Sequence, residues 1–234
     1  MATILVVAAH PDDEVLGCGG TIAKHADAGD SVEILIVAEG QTSRQHVRNR
    51  LQVHNELSTL EASAKTAGEI LGARSVELLA LPDNRLDSLD RLDLIKIVEE
   101  RINHHKPEIV YTHHAGDVNI DHRRLHEAVV TACRPTPGQT VNRMLSFEVA
   151  SSSEWQPPGS NWAFQANWFV DISKQWQRKE KALEAYLSEM RPWPHARSIE
   201  AVKHLANWRG AQIGRDAAES FMLLRNIDGK SGQP

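Results

Sequence analysis

The sequence predicts an α/β fold built on a mostly parallel sheet. In the first half of the chain, short apolar segments of strand character alternate with segments of helical periodicity. Strands that alternate with helices are joined by right-handed crossovers, which place neighbouring strands parallel. The chain has 234 residues, 41% apolar and 24% charged, which is typical of one large globular domain.

The individual elements follow from local composition. Residues 3–9 are predicted as a fully buried strand because they are uncharged and rich in β-branched side chains. Further strands are predicted at 31–38, 75–81, 108–112, 141–149, 168–172 and 220–225. Helices are predicted at 17–28, 89–104, 173–190 and 198–213. A further long helix is predicted to end at residue 71, and another to begin near residue 121. Gly29 and Gly72 suit the ends of the first two helices, and an apolar stripe on the third contains Leu92, Ile95, Val98 and Ile102.

The chain is expected to form a single domain over residues 1–228. Its core spans 1–135 and its C-terminal extension spans 136–228. All six tryptophans lie beyond residue 150. Residues 229–234 are predicted to be a disordered tail.

Charge and composition exclude several function classes. A net charge of −5 argues against a nucleic-acid-binding surface. The sequence contains no run of about 18 apolar residues, so no membrane span is predicted. No basic region precedes the first strand, so a signal peptide is not expected. Cys18 and Cys133 form no metal-binding spacing, so we expect reduced thiols and a cytoplasmic protein.

An ionisable cluster follows the first strand directly, at His10, Asp12, Asp13 and Glu14. Carboxylates at the end of a buried strand need compensation, and a divalent cation is the simplest source. His10 and Asp13 are close enough on one turn to bind the same ion, while Asp12 can face a water molecule as general base. The alternative is that these carboxylates only cap the following helix.

A second ionisable cluster follows the strand at 108–112 and can supply a third metal ligand. His122 is the favoured candidate, because Asp121 beside it can act as helix N-cap or as a supporting hydrogen-bond partner. Spacing alone leaves His113, His114 and His126 as competitors. Both clusters fall at the carboxyl ends of predicted parallel strands, where ligands bind in such sheets.

The first cluster, Ala9-His10-Pro11-Asp12-Asp13-Glu14 followed by Gly19-Gly20-Thr21, resembles the signature of the LmbE-like (PIG-L) zinc-dependent N-acetylglucosamine deacetylases. Asp117-Val118-Asn119-Ile120-Asp121-His122 resembles that family's second motif. The likeness covers most of residues 1–135.

The resemblance implies a Rossmann-like, three-layer αβα sandwich with extra strands and helices from the C-terminal third. It implies His10, Asp13 and His122 as zinc ligands, Asp12 as general base, and hydrolysis of an acetamido group on an amino sugar. It also implies a homo-oligomer, since members of the family are often homo-oligomers and several of them are hexamers. His and carboxylate ligands also accept other divalent transition metals.

One position departs from the family pattern. Asn119 stands where many members have a histidine that stabilises the developing oxyanion; an asparagine can donate a hydrogen bond there but cannot supply a proton. His195, in a segment that prolines should fix, is the candidate acid. Glu14 is expected to support the helix start, and Arg44 to contact an anionic part of the substrate.

Two alternatives stay open. One is a metal-dependent hydrolase of a different amide or of a phosphoester. The other is a non-catalytic Rossmann-type nucleotide-binding module, in which the glycine-rich turn at Gly17–Gly20 holds phosphate.

Overall fold

The structure is a computed structural model that describes residues 1–157 and 163–229. Its strands are β1 (Thr3–Ala8), β2 (Ser31–Ala38), β3 (Ser75–Leu81), β4 (Ile109–His113), β5 (Arg143–Phe147), β6 (Trp168–Asp171) and β7 (Ala218–Asn226). Its helices are α1 (Asp13–Asp27), α2 (His54–Leu71), α3 (Arg91–His105), α4 (Ile120–Ala132), α5 (Trp176–Glu184) and α6 (Ile199–Ala211). Residues 230–234 of the predicted tail lie outside the described residues.

The described strands form one seven-stranded sheet in the order β3-β2-β1-β4-β5-β7-β6. The first five strands are parallel to their neighbours, whereas β7 is antiparallel to both β5 and β6. The predicted α/β class with a mostly parallel sheet is therefore confirmed. Strands from the C-terminal third extend the same sheet.

Helices cover both faces of the sheet, and the alternation along β1 shows how. Ile4 and Val6 contact the layer formed by α1, α2, α5 and α6, whereas Leu5 and Val7 contact α3 and α4.

The predicted apolar stripe on α3 is wrong at one position. Leu92, in the first turn, is 60% exposed, while Leu94 packs in the core. No helix in the described ranges is long and apolar enough to cross a membrane.

The order of the strands places the two ionisable clusters together. Strands β1 and β4 are neighbours, but the chain leaves β1 toward β2 and β3 and returns to β4 from the other side. A crevice forms at such a switch point, beyond the carboxyl ends of the strands. The clusters at 10–14 and 113–122 both border this crevice.

Helix α1 is kinked in its middle, where Cys18 has non-helical dihedrals (φ −147°, ψ 23°). Its glycines permit close packing rather than phosphate binding. A Cβ at Gly17 would lie 2.3 Å from a ring carbon of Phe147, and one at Gly20 would lie 2.7 Å from Ile172 Cδ1. The helix therefore lies close against its neighbours just after the residues of the first cluster.

A buried ion pair satisfies the backbone groups around the kink. The Glu219 carboxylate accepts from the backbone N–H groups of Gly20 and Thr21, at 2.8 and 2.7 Å. Lys179 Nζ donates to Leu16 O at 2.9 Å and to Glu219 Oε1 at 2.6 Å. Both charged side chains are buried. They replace hydrogen bonds that an unbroken helix would make internally.

Candidate metal centre and active site

The turn between β1 and α1 adopts an unusual backbone conformation at Asp12 (φ 109°). Positive φ is costly for a residue with a side chain and needs support from its surroundings. Glu14 provides it by accepting from Asp12 N at 3.1 Å, while Tyr186 donates its hydroxyl to the other carboxylate oxygen at 2.7 Å. Burial raises the pKa of Glu14 to about 7. The turn directs the Asp12 and Asp13 side chains into the crevice from adjacent positions.

Three predicted ligands meet at one carboxylate oxygen. His10 Nδ1 lies 3.2 Å and His122 Nε2 lies 3.1 Å from Asp13 Oδ2. One ligand atom from each residue lies within 4.8 Å of the other two. His122 is buried, and a carboxylate oxygen lies close to each of its ring nitrogens, although neither contact has hydrogen-bond geometry. Two imidazoles and a carboxylate are a donor set typical of a divalent transition-metal site that keeps a position for water.

The competing histidines are engaged elsewhere. The lone pair of His113 Nε2 accepts from Ala9 N at 2.8 Å, so this atom is not free to bind an ion. His126 directs Nδ1 to His113 O at 2.8 Å, and His114 packs edge-on against Phe164. Within the described residues, neither potential metal-binding group contains any of the three.

Asp121 supports His10 rather than its sequence neighbour. Asp121 Oδ2 lies 3.0 Å from His10 Nε2, and the carboxylate accepts from Asn84 N and Leu86 N at 2.7 and 2.9 Å. A carboxylate anchored at Nε2 favours the tautomer with its proton on Nε2, which would leave the lone pair of Nδ1 for an ion. Asp83, whose Oδ1 is 3.4 Å from His10 Nε2, forms a second potential metal-binding group with these two residues.

Asp117 supports His122, a role that the sequence did not reveal. Its carboxylate lies 3.2 Å from His122 Nδ1 and accepts the hydroxyls of Ser152 and Ser153. Burial raises the pKa of Asp117, but the contacts with His122 and the two hydroxyls outweigh burial and hold the pKa well below its ordinary value. The carboxylate therefore stays ionised beside the imidazole.

The carboxylates make this site attractive to positive charge. Burial lowers the pKa of His122, but Asp13 and Asp117 outweigh burial and raise it to about 9. The pKa of His10 is likewise raised, because contacts with Asp121 and Asp13 outweigh burial. Buried imidazoles that gain protons so readily lie in a negative potential. That potential also favours a cation.

Asp12 contacts a residue that sequence reasoning did not assign. Arg197, in the segment before α6, donates from Nη1 to Asp12 Oδ2 at 3.1 Å. Burial raises the pKa of the Asp12 carboxyl well above its ordinary value, and Arg197 opposes that rise. A raised pKa brings a carboxylate closer to the range in which it can both take and return a proton.

The other predicted site residues are placed differently. Asn119 caps α4 by accepting from Asp121 N at 2.8 Å, and its Nδ2 donates to Asn84 Oδ1 at 3.0 Å. His195 is exposed, with Nδ1 accepting from Arg197 N at 3.0 Å. Their catalytic roles stay predictions.

Arg44, predicted to contact substrate, is half exposed and forms an ion pair with Glu189 at 2.7 Å. Gln41 joins this pair, accepting from Arg44 and donating to Glu189. Binding of substrate by Arg44 stays a prediction.

Comparisons with known proteins bear on this geometry. The family model described as "PIG-L: GlcNAc-PI de-N-acetylase" matches residues 5–133. The chain is 31% identical to the uncharacterized deacetylase YaiS of Escherichia coli K12, over 64% of this chain and 75% of that protein. It is 26% identical to diacetylchitobiose deacetylase of Thermococcus kodakarensis, over 96% and 84%.

One relative carries a different activity in its name. The chain is 29% identical to 4-oxalmesaconate hydratase of Pseudomonas putida KT2440, over 95% of this chain and 84% of that protein.

Among solved structures, the conserved protein TT1542 of Thermus thermophilus superimposes on this chain with a TM-score of 0.73 at 25% identity. That match covers 100% of this chain and 97% of the other.

Proposed function

The chain belongs to the PIG-L family, and from this premise we propose that it is a zinc-dependent deacetylase. It would hydrolyse the acetamido group of N-acetylglucosamine or of a conjugate, releasing acetate and a free amine. The observation that carries the proposal is the meeting of His10 Nδ1 and His122 Nε2 at Asp13 Oδ2 beside the carboxylate of Asp12. A divalent ion held by these three residues would act as a Lewis acid on the acyl carbonyl and activate water as the nucleophile.

Asp12 is the base in this reaction. Its carboxylate takes a proton from the attacking water as the new carbon–oxygen bond forms. When the carbon–nitrogen bond breaks, the same proton passes from Asp12 to the leaving nitrogen, so that acetate and amine result. Glu14 and Tyr186 hold the backbone conformation from which Asp12 acts.

A hydratase is the second candidate, because the similarity to the hydratase of Pseudomonas putida extends over nearly the whole chain. Both reactions add water with the help of a base. The deacetylase has the wider support, because the matching family model and two of the relatives carry that activity in their descriptions.

A nucleotide-binding module has less support, because Gly17 and Gly20 face the side chains of Phe147 and Ile172 instead of an open phosphate cradle. A homo-oligomeric assembly and a cytoplasmic location complete the proposal. They rest on the sequence resemblance and on two free, buried cysteines, Cys18 and Cys133.

A substrate panel tests the proposal. Metal-loaded protein is incubated with N-acetylglucosamine, N,N′-diacetylchitobiose, UDP-N-acetylglucosamine and an inositol-linked N-acetylglucosaminide, and acetate and primary amine are both measured. The expected result is equal release of acetate and amine from at least one substrate. Hydration of 4-oxalmesaconate by the same preparation, without acetate from any acetamido sugar, would contradict it.

A further inference from the structure

Arg197 makes two side-chain hydrogen bonds, one of them to Asp12 of the candidate active site. Its Nε donates to Ser151 Oγ at 2.9 Å, and its Nη1 donates to Asp12 Oδ2 at 3.1 Å. The side chain is about a quarter exposed, with a relative accessibility of 25%. Two hydrogen bonds from different nitrogens define the plane of a guanidinium group, so its third nitrogen has a set direction.

The third nitrogen, Nη2, is the feature of interest. Within the described ranges 1–157 and 163–229, no residue accepts a hydrogen bond from Nη2, whereas Nε and Nη1 are both used. Nη2 is bonded to the same carbon as Nη1, which contacts the catalytic carboxylate. A charged donor without a protein acceptor therefore lies beside the place where the acyl group must approach Asp12.

The two side chains predicted to assist at this step do not offer an equivalent group. Asn119 uses its oxygen to cap α4 and donates from Nδ2 to Asn84. His195 is exposed, and its Nδ1 accepts from the backbone of Arg197. Arg197 has a spare donor, and it alone of these three residues contacts Asp12.

We propose that Arg197 binds the substrate's acyl oxygen through Nη2 while its Nη1 orients Asp12. The inference rests on the proposed function, because it assigns a role in hydrolysis of an acetamido group. Negative charge develops on that oxygen as water adds to the carbonyl carbon. A guanidinium group that is already held in place stabilises such charge without reorganisation.

Replacement of Arg197 by lysine and by methionine tests the assignment. Lysine keeps a charge but cannot contact Asp12, Ser151 and a substrate oxygen from one plane. Both variants should lower kcat by about 100- to 1,000-fold, the usual effect of removing one oxyanion donor, with KM changed only a few-fold. Metal content should match the wild type. Because Arg197→Met leaves the buried Asp12 without its ion-pair partner, its Tm should fall, but both variants should remain fully folded at the assay temperature. Arg191→Met is the matched control, since the side chain of Arg191 in the same segment donates, among the described residues, to the backbone carbonyls of Ser188 and Met190 and not to Asp12.

A more reactive substrate separates oxyanion stabilisation from the orientation of Asp12. The fluorine atoms of an N-trifluoroacetyl analogue stabilise the negative charge that develops on the acyl oxygen. The fold loss in turnover caused by Arg197→Met should therefore be at least tenfold smaller for this analogue than for the N-acetyl substrate. Equal losses on both substrates would overturn the contact with the acyl oxygen. A loss of activity that follows a loss of metal or of folding in both variants would also overturn it.

Binding of acetate keeps this test independent of turnover. Calorimetry with metal-loaded protein should give a dissociation constant at least tenfold weaker for Arg197→Met than for the wild type. If no acetamido substrate is hydrolysed but this difference is found, the proposed substrate class fails while the role of Arg197 as an acyl-oxygen donor stands. Equal acetate affinity in the two proteins would remove that role.

Discussion

Breaking the buried Lys179–Glu219 pair should destabilise the protein strongly. The two charges lie 2.6 Å apart, with side-chain exposures of 3% and 4%. Removing one partner of such a pair leaves an uncompensated buried charge, which costs about 3–5 kcal/mol. Glu219→Gln should lie at the upper end of that range, because the charge of Lys179 then meets neutral partners such as the carbonyl of Leu16. The amide nitrogen of glutamine also cannot accept a backbone N–H as a carboxylate oxygen does. Lys179→Met should lie at the lower end, since two backbone N–H groups still bind the carboxylate.

Thermal and denaturant unfolding measure these costs. For a chain of this size, a loss of 3–5 kcal/mol lowers Tm by roughly 6–20 °C. The double variant Lys179→Met/Glu219→Gln removes both charges and should be more stable than the sum of the single changes predicts, by about 2 kcal/mol.

An exposed ion pair provides the control. Lys65 and Glu61 are 2.7 Å apart, close to the separation of the buried pair, but their side chains are 57% and 52% exposed. The corresponding changes there should alter stability by less than about 1 kcal/mol. Single Lys179 or Glu219 variants as stable as these controls, or strictly additive effects in the double variant, would refute the view that this pair stabilises the kink of α1.

Three further predictions follow from the metal centre and its surroundings. His122→Ala should reduce metal content from about one ion per chain to near zero, whereas His126→Ala should retain the ion; elemental analysis would refute the ligand assignment if His122→Ala kept its metal. Asp117→Asn should weaken metal affinity by about 10- to 100-fold in a chelator competition, and unchanged affinity would contradict its support of His122. Burial raises the pKa of Glu39, but Arg48 and the other partners of Glu39 outweigh burial and lower the pKa. The ionised carboxylate therefore stabilises the fold at pH values above the unfolded-state pKa. That stabilisation is lost as the pH falls through the folded-state pKa. Glu39→Gln should therefore cost about 1–2 kcal/mol at neutral pH and progressively less in acid; an equal cost at all pH values in denaturant unfolding would contradict it.

The parallel sheet could be predicted because its strands are short, apolar and separated by helical periodicity. The helix starts were less accessible, and α1 begins at Asp13 rather than near Gly17. The acidic residues that form its first turn look like a loop when they are judged by helix propensity alone. Their conformation depends on Glu14, which is bonded to Tyr186 from the far end of the chain.

The three candidate metal ligands could be selected from the sequence because their motifs are local, whereas the residues that contact them are distant in sequence. Asp117 was visible within the second motif, but its link to His122 depends on hydroxyls at 152 and 153. Asp121 contacts His10 instead of the adjacent His122, and its carboxylate is held there by backbone N–H groups of Asn84 and Leu86. Such pairings come from tertiary packing and leave no spacing signal.

Arg197 illustrates the same limit. The segment from 191 to 197 was noticeable for its prolines and basic residues, and the imidazole of His195 is the more usual proton carrier. In the folded chain Arg197 contacts Asp12 across 185 positions of sequence. Only the approach of this segment to the turn after β1 identifies it.

The rate of acetate release by Asp12→Asn at equal metal occupancy tests the central claim most directly. Asparagine preserves the size of the side chain but cannot take a proton from water. The account predicts that the variant holds as much metal as the wild type and releases acetate at least about 1,000-fold more slowly, within the range of a lost general base. Full metal occupancy with acetate release near the wild-type rate would contradict it.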